Sequence, residues 1–154
     1  MFEYLFLLIL QKRDDNLYHI VNKNNIVLDC QIGINSPTTK TSSVIRPHTD
    51  GRSEIYAGLL YFRHEKDSGR GGDLNILDIN QNYKNLNEYK KIVGKRENRF
   101  FDDFSDKLRK IETVKYEKNT FILFFNEINA IHEVTPRENN PFSRRLVNII
   151  GEYY

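Results

Sequence analysis

Short apolar runs separated by polar, turn-forming stretches recur along most of this chain. Residues 26–34 (IVLDCQIGI) are rich in branched aliphatics and predict a strand. The following stretch, 35–43 (NSPTTKTSS), predicts a turn. Val44 to Asp50 reads as short and extended. Pro47 has no backbone donor and marks an edge or a strand end there. Ile55 to Phe62 (IYAGLLYF) reads as a strand buried on both faces, and 63–73 (RHEKDSGRGGD) as a charged, glycine-rich loop. Leu74–Ile79, Thr120–Phe125 (TFILFF), Ala130–Val134 and Leu146–Ile150 complete the strand candidates.

Two segments follow another period. Met1–Leu10 (MFEYLFLLIL) is strongly apolar but far shorter than the roughly 20 residues that cross a bilayer. Glu3 precedes its apolar run and Lys12 and Arg13 follow it, the reverse of a secretory leader. It predicts a buried helix. Phe101, Phe104, Leu108 and Ile111 recur at steps of three and four, which predicts a helical face. Asp102 and Asp103 at its start and Lys107, Arg109 and Lys110 near its end suit the helix dipole. The alternative for 81–112 is a mixed insert with short strands. The whole pattern, six to eight short strands with a helix at the front, predicts a β-sandwich or small barrel rather than a parallel α/β sheet. No glycine-rich strand-to-helix turn opens a nucleotide site.

Length and composition narrow the functional classes. At 154 residues the chain predicts one domain. Lys and Arg number 23 against 21 Asp and Glu, so the net charge is only +2 and a broad basic nucleic-acid surface is not expected. The lone cysteine, Cys30, excludes an internal disulfide and suits a reducing compartment. It reads as a small hydrophobe in a core strand. A soluble, cytoplasmic protein without membrane or nucleic-acid partners is expected.

The sharpest chemical signal is Pro47-His48-Thr49-Asp50-Gly51. Positions i and i+2 of an extended chain project to one side, so His48 and Asp50 present an imidazole and a carboxylate together. His132, in Ala130-Ile131-His132-Glu133-Val134, is a second imidazole that only the fold could bring to them. Two imidazoles and a carboxylate on one side of a metal suit non-haem Fe(II), which needs open positions for cosubstrate and O2. A His-x-Asp tripeptide also arises by chance, and a lone histidine near a strand end is more often hydrogen-bonded than ligating.

Arg144 and Arg145 head the last apolar strand. A planar guanidinium grips a carboxylate through two bonds, as a dicarboxylate cosubstrate would need. Alternation puts only one of them inward. Arg144 shares a face with Leu146 and Asn148, Arg145 with Val147 and Ile149; apolar content favours Arg145. Elsewhere, His64 reads as solvated and His19 as a helix or strand-edge residue. Tyr56 and Tyr61 flank the expected mouth, where packing is the default role of an aromatic. Gly69–Gly72 reads as a tight strand connection.

Taken in order, His-x-Asp, Leu-Tyr-Phe (60–62), Gly-Gly-Asp-Leu (71–74), TFILFFNEINAIHEVTP (120–136) and SRRLVNI (143–149) resemble the 2-oxoglutarate- and Fe(II)-dependent dioxygenase superfamily, most nearly its prolyl-hydroxylase-like branch. The resemblance covers residues 26–150. It implies a mainly β, double-stranded β-helix (jelly roll, cupin-like) with a few flanking helices. The expected layout is a single domain over 1–154: a short helical part at 1–25, then the jelly roll at 26–150. It implies His48, Asp50 and His132 as ligands of Fe(II), and Arg144 rather than Arg145 as the residue holding 2-oxoglutarate. Many relatives also bind that cosubstrate with a tyrosine before His-x-Asp; here Gln31 or Asn35 would stand in. Asp73 replaces a usual glutamate after the paired glycines. The implied reaction hydroxylates a peptidyl side chain or a small metabolite with O2 and releases succinate and CO2. The competing expectations are a non-redox cupin-like metal protein or isomerase, and a structural protein in which HTD is a turn.

Overall fold

Branched and aromatic residues favour a pleated backbone wherever turn formers bound them. In the computed structural model, which describes residues 7–9, 26–37, 46–51, 53–80, 106–127 and 130–153, such runs form eight strands. They are β1 (Leu7–Ile9), β2 (Ile26–Asn35), β3 (Glu54–Tyr61), β4 (Leu74–Ile79), β5 (Leu108–Val114), β6 (Phe121–Phe125), β7 (Ile131–Val134) and β8 (Arg144–Tyr153). One sheet runs β1-β6-β3-β8-β2 and the other β5-β4-β7. Every pair is antiparallel except β1 with β6. This mainly β arrangement of two sheets is compatible with a β-sandwich.

The core lies where the inner faces meet. Ala57, Tyr61, Ile122 and Phe124 of the larger sheet pack with Leu74, Ile76, Val114 and Val134 of the smaller one. Register fixes which side chains of β8 join them. Tyr61 pairs with Leu146, Leu59 with Asn148 and Ala57 with Ile150. Since cross-strand partners share a face, Arg144, Leu146, Asn148 and Ile150 point into the sandwich. Outside the strands, an antiparallel bridge joins His48 to His132 and brings the segment around His48 alongside β7.

Several expectations need correction. Leu7–Ile9, expected within a helix, is a strand in parallel register with β6, Leu8 opposite Leu123. A short apolar run fits either element, and here a free sheet edge decided. Leu108 and Ile111 were expected on a helix but lie on β5. Ile111 is the extra residue of a bulge, since Ile76 pairs with Glu112 and Leu77 with Lys110. Ile111 is exposed, so the three-residue step from Leu108 marks no buried helical face. Phe101, Phe104 and His19 lie outside the described residues. Cys30 is exposed rather than in the core. It shares the outward face of β2 with Leu28, Ile32 and Ile34, all exposed at the end of the sheet. The strand at 55–62 is not buried throughout either, for Phe62 is exposed.

The glycine-rich connection is tight, as its composition suggests. Gly71 has φ of 81°, and a Cβ there would lie 1.9 Å from the Pro136 carbonyl oxygen. Only glycine meets both conditions. The preceding loop is not simply solvated. Asp67 is buried and binds Arg137 at 3.0 Å, Asn140 at 2.6 Å and the Gly69 amide at 3.1 Å.

Candidate metal centre

His48 and His132 are set face to face by backbone geometry. Each donates its N–H to the other's carbonyl at 2.9 Å. Directly opposed antiparallel residues project their side chains together, and the two rings lie 4.3 Å apart between centroids. Asp50 follows two residues after His48, so its carboxylate returns to the same side. Its Oδ1 is 3.8 Å from His48 Nε2 and 3.5 Å from His132 Nε2. One ligand atom from each of the three residues falls within 4.8 Å of the others. Among the described residues this is the group able to hold a metal ion.

The backbone also sets which ring nitrogens face that point. His48 Nδ1 lies 2.7 Å from the Arg46 carbonyl, and His132 Nδ1 lies 2.9 Å from the Ala130 carbonyl. A carbonyl only accepts, so each Nδ1 carries the hydrogen and each neutral ring presents its Nε2 lone pair towards Asp50. Burial disfavours a charge on His132, but hydrogen bonding and charge from Asp50, with help from the Ala130 carbonyl, outweigh it and raise its pKa. The site therefore already attracts positive charge. The Phe124 ring packs 4.8 Å from the His132 ring. Two imidazole nitrogens and a carboxylate would suit a first-row divalent ion.

A second polar group is buried in the same sandwich. Arg144 is 3% exposed, whereas Arg145 is half-buried. Inward burial of Arg144 follows from the register above, and it runs against the apolar content of the two faces. Arg144 Nε donates to the Gly72 carbonyl at 3.0 Å. Its guanidinium stacks 5.0 Å from the Tyr61 ring and 5.2 Å from the Tyr116 ring. Burial lowers its pKa, opposed by the two tyrosines; a guanidinium still stays charged in a protein. Among the described residues, Asn148 Oδ1 on this inner face is buried without a hydrogen-bond partner, which costs about 1–3 kcal/mol. The Tyr61 hydroxyl lies with the Arg144 guanidinium, and the two together are a buried donor surface that a carboxylate would satisfy.

The remaining candidates fall elsewhere. Tyr61 is fully buried against Arg144, not at a mouth, and burial pushes its hydroxyl up to about 12. It therefore stays a neutral donor. Tyr56 lies over Gly151, where a Cβ would come within 2.4 Å of its ring. Asn35 Oδ1 is 3.5 Å from Arg144 Nη1, while the Gln31 side chain bonds Asp29 at an exposed position. His64 is half-buried and stacked 4.7 Å from Phe142, and its Nδ1 accepts from the Lys66 N–H at an exposed position. Asp73 accepts from the Tyr116 amide at 2.8 Å and from Lys115 at 3.0 Å, so it fastens the strand connection.

Sequence reasoning missed the pairing of Tyr61 with Arg144. The available signal was Leu-Tyr-Phe inside an otherwise aliphatic strand, which gives a residue type but no partner. Comparison with protein-family models, curated proteins and solved structures returned no match to this chain.

Proposed function

We propose that this chain is a 2-oxoglutarate- and Fe(II)-dependent dioxygenase that hydroxylates a peptidyl side chain or a small metabolite. The observation that carries the reading is the convergence of His48, Asp50 and His132 within 4.8 Å, from segments far apart in sequence. Strand placement supports it as well. Successive segments from β2 onwards pass between the sheets in the order large, small, large, small, small, large, small, large, with the His48 segment as the second. A jelly roll is wound in this way.

The residues divide the work by position. His48, Asp50 and His132 would hold the ferrous ion, and Arg144 with Tyr61 would hold the far carboxylate of 2-oxoglutarate. When bound, the ion supplies O2 activation and the cosubstrate supplies electrons, leaving as succinate and CO2. Arg144 brings a fixed charge that needs no reorganisation, and Tyr61 brings an O–H that stays protonated. Phe124, Ile76 and Val134, buried around the same core, exclude water from that space. The exposed, unpaired Cys30 and a ferrous centre both suit the reducing cytoplasm. No helix among the described residues is long and apolar enough to cross a membrane.

The test is anaerobic addition of Fe(II) and 2-oxoglutarate, followed by O2. A weak visible charge-transfer band and succinate release are expected, both abolished in His48→Ala and Asp50→Ala. Metal binding with no band and no succinate would instead indicate a non-redox cupin-like protein or isomerase.

A further inference from the structure

Asp50 follows the bridged His48 by two residues, and the direction of its carboxylate depends on the backbone that comes after it. It stands at the entrance to a turn that leads into β3. Gly51 and Glu54 close that turn, with Glu54 N–H donating to the Gly51 carbonyl at 3.1 Å. The Glu54 side chain folds back, and its Oε1 accepts from the Gly51 N–H at 2.9 Å. That N–H belongs to the peptide plane joining Asp50 to Gly51. Fixing the plane fixes ψ of Asp50 and so the base from which its carboxylate projects. Gly51 makes room for the contact, since a Cβ there would lie 2.7 Å from Glu54 Oε1.

The other side of the turn is held from the larger sheet. Asn126 is the first residue past β6. Its Nδ2 donates to the Gly51 carbonyl and, at 3.0 Å, to the Glu54 carbonyl. Its own N–H donates to the Ile55 carbonyl at 2.9 Å. Two residues earlier on the same strand, Phe124 packs against the His132 ring. The end of β6 thus supports one imidazole by packing and the turn after Asp50 by hydrogen bonds.

We propose that Glu54 and Asn126 are positioning residues for the metal centre, Glu54 fixing the Asp50–Gly51 peptide plane through the Gly51 N–H and Asn126 fixing the turn that follows through the Gly51 and Glu54 carbonyls, so that the Asp50 carboxylate is preset for a divalent ion. This rests on the metal reading above and does not depend on 2-oxoglutarate turnover. Glu54 acts as a hydrogen-bond acceptor in this role, while its charge also acts on His132. Asn126 acts as a donor, so an acid cannot replace it.

The experiment titrates the full chain with Co(II) under metal-free starting conditions and reads the visible d–d spectrum, with thermal unfolding of each apo variant in parallel. Glu54→Ala and Asn126→Asp should weaken Co(II) binding about 10- to 100-fold, the range for loss of groups that orient ligands. Their bands should also shift as the carboxylate loses its fixed direction. Glu54→Gln, which keeps the acceptor but removes the charge acting on His132, should keep the wild-type band positions and lose less affinity than Glu54→Ala, the retained hydrogen bond leaving the ligand geometry intact. Equal affinity and spectrum in Glu54→Ala, Glu54→Gln and wild type would overturn the clamp while leaving the metal centre standing. Absence of Co(II) binding by wild type would overturn both. Glu54 is half-buried, so its two variants decide the matter even if Asn126→Asp does not fold.

Discussion

Charge placement explains more at single residues than charge number does. A net charge of +2 describes a nearly neutral molecule, yet Arg144 is buried between the sheets beside the buried Tyr61 hydroxyl. Arg144→Ala should raise the 2-oxoglutarate concentration needed for half-maximal succinate release about 10- to 100-fold. That corresponds to losing about 1.5–3 kcal/mol of charge-assisted hydrogen bonding. Arg145→Ala should stay close to wild type in the same assay, and the reverse result would reassign the role. Tyr61→Phe should raise the requirement several-fold, because it deletes the buried hydroxyl that lies with the Arg144 guanidinium.

Among the elements, the loop between β3 and β4 and the turn between β7 and β8 are held by one carboxylate. Burial disfavours the Asp67 charge, but Asn140, the Gly69 N–H, Arg63 and Arg137 outweigh it and lower its pKa. A carboxyl lowered in the folded state stabilises above its unfolded value of about 3.9 and loses that contribution as pH falls through the folded value. Asp67→Ala should therefore cost about 3–5 kcal/mol near neutrality, because it leaves buried Arg137 without its counter-charge. Wild type should lose its advantage over the variant below about pH 4. Urea unfolding at a series of pH values measures both effects. A pH-independent difference would place the contribution in packing instead.

For the whole molecule, the three candidate ligands come from segments that only the folded chain brings together, so binding and stability should be linked. A divalent ion bound only by the folded state, at about 100 times its dissociation constant, adds about 2.7 kcal/mol. For a chain of this size that raises the unfolding midpoint by roughly 5–10 °C. Scanning calorimetry with and without Mn(II) should show the shift in wild type and not in Asp50→Ala. Much of this architecture was written locally. Alternating and continuous apolar runs marked β3, β4, β6 and β7 to within about a residue at each end, because strand formation depends on neighbours and their turns. His-x-Asp likewise put two ligand types on one side of the chain through two-residue periodicity alone. Pairing was not written there. Leu7–Ile9 became a strand because β6 offered an edge, and β5 formed where a helical face was expected, with a bulge opposite Ile76 and Leu77. Meeting of His132 with His48, and the inward turn of Arg144 against the apolar trend, were set by register between segments distant in sequence. Hydrogen-bond ladders choose that register over the whole sheet, and no single strand carries the information.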